Sequence, residues 1–234
     1  MLLLAFETSA KAASVALMDD DRLLGESYQN TGLTHSQTLM VMAEDLIKQC
    51  GHTPAAITHV AVAAGPGSFT GVRIGVAAAK GIAWGRELPC HGVSTLESMA
   101  LGLGLWDGYI CTAMDARRAQ VYNAIFHVKN GQISRICEDR AISLTQLGEE
   151  LAQLDGPIHL VGDGAALCHR TLTDISLILP PEWKQHQRAV GVALAAKAQI
   201  AAGIPGDGAT LTPNYLRLSQ AERERLEKEN KGDH

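Results

Sequence analysis

Aromatic side chains make up only 4 % of this 234-residue chain, and no dense run of Lys or Arg offsets a formal net charge of −5. The second lack excludes a binder that holds nucleic acid mainly through its own positive field. Any dealings with RNA are expected to be indirect. The five cysteines, Cys50, Cys90, Cys111, Cys137 and Cys168, are odd in number and widely spaced, with no CxxC. That pattern gives neither a disulfide framework nor a redox or zinc motif, and reads as buried, reduced thiols. The opening MLLLAFETSA has an apolar run too short for a signal sequence and no basic residues before it, and no stretch approaches a membrane span. A cytoplasmic protein without membrane contact is the expectation. What is present is ample: 46 % hydrophobic residues over this length suffice for a substantial core.

The chain is organised around the stretch from Ala63 to Gly85. An apolar run from His59 to Ala63 enters a turn, Gly65-Pro66-Gly67-Ser68, and apolar residues then recur at helical spacing through Phe69, Val72, Val76, Ala79 and Ile82. Strand, glycine turn and helix form the arrangement that presents backbone N–H groups to an anion. Three glycines in the helical part, Gly71, Gly75 and Gly81, each cost roughly 1 kcal/mol relative to Ala. Either phosphate binding at the turn or close packing along a glycine face must offset that cost.

Before this stretch, Leu2 to Phe6, Ser14 to Met18 and Leu23 to Tyr28 read as an antiparallel meander, with Glu7-Thr8-Ser9 closing the first strand. Thr34 and Gln37 have capping-box spacing for a helix with Leu39, Ala43, Leu46, Ile47 and Cys50 on one face, ended by Gly51. Met40, Val41 and Met42 fall off that face, which marks either a second contact surface or a helix buried on both sides. Beyond Gly104 the plan restarts. Tyr109 to Met114 is a strand ending at Asp115, Gln120 to Val128 a second, Asn130-Gly131 a hairpin turn, and Gln132 to Cys137 a third. The repeat is one of pattern, with little side-chain identity. Ser94 and Glu97, and Ser143 and Gln146, mark further helix starts; Ile158 to Val161 is a strand running into Gly162-Asp163-Gly164, and Ala189 to Ala202 an Ala-rich helix. Thr212 to Arg217 is an anchored extended segment. These divisions give an N-terminal domain over 1–104, a C-terminal domain over 105–217, and a charged, solvated tail over 218–234.

The candidate chemistries narrow quickly. A P-loop needs Lys after its last glycine, but Val72-Arg73 follows Gly71; a dinucleotide fingerprint is one residue shorter than Gly65 to Gly71, and Pro66 has no N–H to offer. No two of the nine histidines lie three to five residues apart, so no helix presents a ligand pair and a metallopeptidase has nothing to work with. There is no GxSxG, and Ser68 reads as an N-cap. Glu7 and Asp115 end equivalent strands. They either face one cleft, where with Thr8 and Ser9 they would hold a nucleotide and Mg²⁺ as in an ATP-dependent phosphotransferase, or close turns and pair with Lys11 and Arg117.

The segment from Ala63 to Ala100, with FETS near the start, MDARRAQVY in the middle, VGDGA later and TPNYLR near the end, resembles the TsaB (YeaZ) family across almost the whole chain and in order. The resemblance implies an α/β chain of the actin-like, sugar-kinase and Hsp70-type fold, with two related mixed-sheet domains. It also implies an accessory role in forming N6-threonylcarbamoyladenosine at position 37 of ANN-decoding tRNAs. The expected partners are a catalytic TsaD-like subunit and a TsaE-like ATPase, with tRNA met only indirectly and a homodimer when alone. In the larger relatives a histidine pair binds metal at positions that fall near Thr95 and Met99 here, and neither is a useful ligand. Two departures stand out: Glu7 occupies a place usually held by Asp, and Gln120 one usually held by Glu. Both lead further from a working nucleotide-and-metal cleft. The expectation is therefore a non-catalytic subunit with no cofactor and no metal, its interface formed by Leu39, Met40, Met42 and Ala43 on the first helix and by Gly71, Arg73, Gly75, Ala78, Ala79 and Ile82 on the second. An ATPase using Glu7 and Asp115 is the alternative.

Overall fold

The computed structural model describes residues 1–104 and 106–217, so the expected helical tail lies outside the described residues. The first sheet contains β1 (Leu2–Glu7), β2 (Ala13–Asp19), β3 (Arg22–Gln29), β4 (His59–Gly65) and β5 (Cys90–Ser94), in the order β3-β2-β1-β4-β5. β1 runs antiparallel to β2 and parallel to β4. The second sheet contains β6 (Gly108–Asp115), β7 (Gln120–Lys129), β8 (Gln132–Arg135), β9 (Arg140–Ser143), β10 (Ile158–Val161) and β11 (Leu177–Ile178). Read as β8-β7-β6-β10-β11, it repeats the first order, again with an antiparallel and a parallel neighbour around its leading strand. The repeat of pattern in the sequence is thus a repeat of topology. The short strands β9 and β11 lack enough alternating apolar residues to be read from sequence.

Both faces of the first sheet are covered, which is why its strands read as continuous apolar runs. Leu2, Leu4 and Phe6 point to a core shared with α1 (His35–Gln49) and α2 (Phe69–Trp84); Leu3 and Ala5 point to a second core shared with α7 (Ala189–Ala201). The helix α3 (Thr95–Leu103) follows β5 in sequence but packs Leu96, Met99 and Ala100 on the second sheet. The other face of that sheet is covered by α4 (Leu144–Leu151) and α5 (Ala165–Thr171). A short helix, α6 (Glu182–Gln185), precedes α7.

The two halves therefore exchange helices. All strands of one sheet precede residue 104 and all strands of the other follow it, yet α3 crosses forward and α7 crosses back. They meet where a Cβ on Gly191 would overlap the Ser98 carbonyl, and the Cα of Gly191 is 3.6 Å from the Cβ position of Gly102. α7 is apolar around its whole circumference because it lies between the first sheet and α3.

Three of the four serine or threonine cap readings are realised. Ser68, Ser94 and Ser143 each accept from the N–H three residues on. Thr34 does not cap with its hydroxyl; the Gln37 N–H goes to the Thr34 backbone carbonyl at 3.0 Å. All five cysteines are free, and burial pushes the Cys168 thiol up to about 12, so it stays protonated and inert.

Candidate functional site

The loop after β1 is where the two halves come closest in chemistry. Glu7, Thr8 and Ser9 are fully buried. Glu7 Oε1 accepts from the Ser9 N–H at 2.5 Å, while Glu7 Oε2 has no partner. Thr8 Oγ1 donates to the Gly71 carbonyl at 2.8 Å, and the Ser9 carbonyl accepts from the Ser68 N–H at 2.7 Å. The glycines of the central stretch are now explained. A Cβ on Gly67 would sit 2.5 Å from the Ser9 carbonyl oxygen, one on Gly71 would overlap the Thr8 carbonyl, and one on Gly75 would overlap Thr8 Oγ1. The turn and the helix clasp the loop of their own chain. Gly81 belongs to a different class, with open space around its Cβ position.

Across from this loop, Asp115 ends β6. Its Oδ1 accepts from the Arg117 N–H at 2.7 Å, and its side chain is 37 % exposed. Arg117, Arg118 and Ala119 follow with φ of 66°, 55° and 55°, three successive left-handed residues that turn the chain sharply back into β7. Glu7 and Asp115 therefore do not line one open cleft: the first is enclosed and the second closes its own turn at the surface. The acid that relates them is Asp163, in the turn Gly162-Asp163-Gly164 after β10. Its Oδ1 accepts from Gln187 Nε2 at 3.1 Å, and its charge acts on Glu7 while the charge of Asp115 acts on it. Burial pushes the Glu7 carboxyl up to about 7, with the negative charge of Asp163 adding to the shift. Asp163 is raised in the same direction, again chiefly by burial. Sequence reading passed over Asp163 as a turn residue; the glycines on either side of it were the available signal. Among the described residues no group of three or more His, Cys, Asp or Glu could hold a metal ion.

The segment 212–217 ties the halves together. The Asn214 N–H donates to the Ala64 carbonyl at 2.6 Å, Tyr215 stacks on Phe69 at 4.3 Å, and Arg73 Nε donates to the Tyr215 hydroxyl at 2.7 Å. Leu216 packs on the second half, and Arg217 donates to the Ala116 carbonyl.

The outer surface of α1 and α2 corrects the expected interface in detail. Leu39, Met42, Ala43, Gly71, Gly75 and Ala79 are buried in the chain's own core and cannot form a docking surface as they stand. Met42 lies three residues after Leu39 and so shares its inward face. The small-residue stripe serves internal contact. What remains outside is Met40 at 48 % and Val41 at 57 % exposure, with Leu33 just before the helix, Arg73 on α2, and Ala78 and Ile82 partly covered.

Two sheets of the same strand order, joined by a crossed pair of helices that each half lends to the other, define the actin-like, sugar-kinase and Hsp70-type class. Residues 29–224 match the model of the TsaD family, tRNA N6-adenosine threonylcarbamoyltransferase. The tRNA threonylcarbamoyladenosine biosynthesis protein TsaB of Bacillus subtilis is 33 % identical over 230 residues, 97 % of this chain and 99 % of that one. Its Escherichia coli namesake is 36 % identical over 167 residues, 70 % of this chain and 72 % of that one. A solved structure of YeaZ from Pseudomonas aeruginosa is 26 % identical, with a TM-score of 0.78, covering 92 % of this chain and 99 % of that one. The chain belongs to the TsaB family, within the wider TsaD family.

Proposed function

We propose that this chain is a non-catalytic subunit in the formation of N6-threonylcarbamoyladenosine at position 37 of ANN-decoding tRNAs, bound to a TsaD-like catalytic subunit and acting in the cytoplasm with a TsaE-like ATPase. Kinship with TsaB proteins over nearly the full length supports a place in this biosynthesis. The observation that carries the non-catalytic part is the enclosure of Glu7. Its carboxyl is buried, pushed up to about 7 and occupied by its own loop, and Thr8 and Ser9 are held by α2 rather than open to a phosphate.

The outer side of α1 is the surface we assign to the larger subunit, and to a second copy of this chain when that subunit is absent. Met40, Val41 and Leu33 supply the exposed apolar area, with Arg73, Ala78 and Ile82 on the neighbouring helix. Reconstitution tests the reading: threonylcarbamoylation of tRNA is measured with the larger subunit and its ATPase, with and without this chain. Activity that depends on the chain is expected, and full activity without it would defeat the proposal.

A further inference from the structure

A cavity of about 340 Å³ opens where α3, α6 and the start of α7 meet, and none of Glu7, Ser9, Asp115 or Asp163 lines it. Its apolar part is made by Met99, Leu103, Val161 and Val190; Trp183, Lys184, His186 and Arg188 stand around it. Small-ligand pockets run from roughly 300 to 1,000 Å³, so this one admits a ligand of mononucleotide size and excludes a dinucleotide or a peptide helix.

The segment carrying Trp183, Lys184 and His186 is pinned. The Lys184 N–H donates to the Pro181 carbonyl at 2.8 Å, Gln185 Nε2 to the Pro180 carbonyl at 2.7 Å, the Gly162 N–H to the Gln185 carbonyl at 2.7 Å, and Gln187 Nε2 to Asp163. A site held in this way needs little ordering on binding. Its charges are unequally satisfied. Glu26 accepts Arg188 Nε and Nη2 at 3.0 and 2.6 Å on one oxygen, and Ser14 Oγ and the Val190 N–H at 2.9 and 3.2 Å on the other. That pair is closed. The Lys184 ammonium lies 5.0 Å from the Trp183 ring centroid, with no carboxylate in ion-pairing range among the described residues, so the cavity keeps one uncompensated cation on an otherwise acidic chain. His186 Nε2 is buried without a hydrogen-bond partner, a cost that a ligand atom would remove. Trp183 is 66 % exposed, an indole surface left open beside the cation.

We propose that this cavity binds a planar aromatic ring carrying an anionic group, of mononucleotide size, with the ring against Trp183 and the anion met by Lys184 and His186. The probe is adenosine monophosphate. A chain carrying Trp84→Phe and Trp106→Phe, both exposed indoles, leaves Trp183 as the single fluorescent reporter. Saturable quenching by the nucleotide is expected, with adenosine about tenfold weaker for want of the charge-assisted contact. Inorganic phosphate, which lacks the ring, should not quench. Lys184→Ala and His186→Ala should each weaken nucleotide binding severalfold, and calorimetry on the unsubstituted chain should return the same affinity. Non-saturating quenching, equal affinity for adenosine, or titrations unmoved by both alanine variants would overturn the proposal.

Discussion

Thr8 Oγ1 donates to the Gly71 carbonyl at 2.8 Å, in the space that a side chain on Gly75 would take. This one contact joins the first loop of the chain to the helix that dominates its sequence, and it separates the three helical glycines into two kinds.

Gly71→Ala should destabilise the fold, because the new methyl meets the backbone carbonyl of Thr8, which cannot turn away. Gly75→Ala should do so too, by displacing Thr8 Oγ1 and pressing on Val62 at 3.2 Å. Overpacking of this kind costs about 1–3 kcal/mol, partly offset by about 1 kcal/mol of helix propensity. Gly81→Ala meets nothing and should stabilise by up to about 1 kcal/mol. Urea denaturation of the three variants checks this order. In a cycle with Thr8→Ala, the cost of Gly75→Ala should shrink while that of Gly71→Ala persists.

The buried carboxyl of Glu7 makes stability depend on pH in a defined direction. Its folded value, about 7, lies above the ordinary 4.5, so the native state binds the proton more tightly than the unfolded chain. The stabilisation is fully present below 4.5 and is lost as pH rises through 7, a span worth about 3 kcal/mol. Burial holds His59, His91 and His159 below 6.5, and these groups act in the opposite sense as pH falls. The clean measurement is therefore a difference: Glu7→Gln should gain stability relative to the parent between pH 5 and pH 8. An equal offset at both pH values would refute the assignment.

The segment 212–217 depends on Tyr215. Tyr215→Phe removes the hydrogen bond from Arg73 and keeps the stack on Phe69, for a loss of about 0.5–1.5 kcal/mol. Tyr215→Ala removes both and should lose more. Limited proteolysis within 205–217 should accelerate in the same order, and amide exchange in the first turn of α2 should rise with it.

On the outer surface of α1, Met40→Asp and Val41→Asp should leave stability within about 0.5 kcal/mol of the parent, since both side chains are largely exposed. Co-elution with the larger subunit should be lost, and the affinity measured by calorimetry should fall by about 2 kcal/mol, roughly thirtyfold. A stable variant that binds as well as the parent would move the interface elsewhere.

The sequence by itself determined the local elements and their repetition. Apolar alternation set the leading strands, serine caps set three helix starts, and the matching runs around Glu7 and Asp115 announced two sheets of one plan. These are short-range properties, and hydrophobic period and capping chemistry encode them directly. Tertiary structure decided what the elements were for. The exchange of α3 and α7 between the halves was not legible, because an apolar helix carries no mark of which sheet will cover it. The glycines of α2 announced close contact but not its partner, which proved to be the chain's own Thr8 and Ser9. The pairing of Glu7 with Asp115 gave way to Asp163, since burial and charge depend on residues brought together from distant parts of the chain.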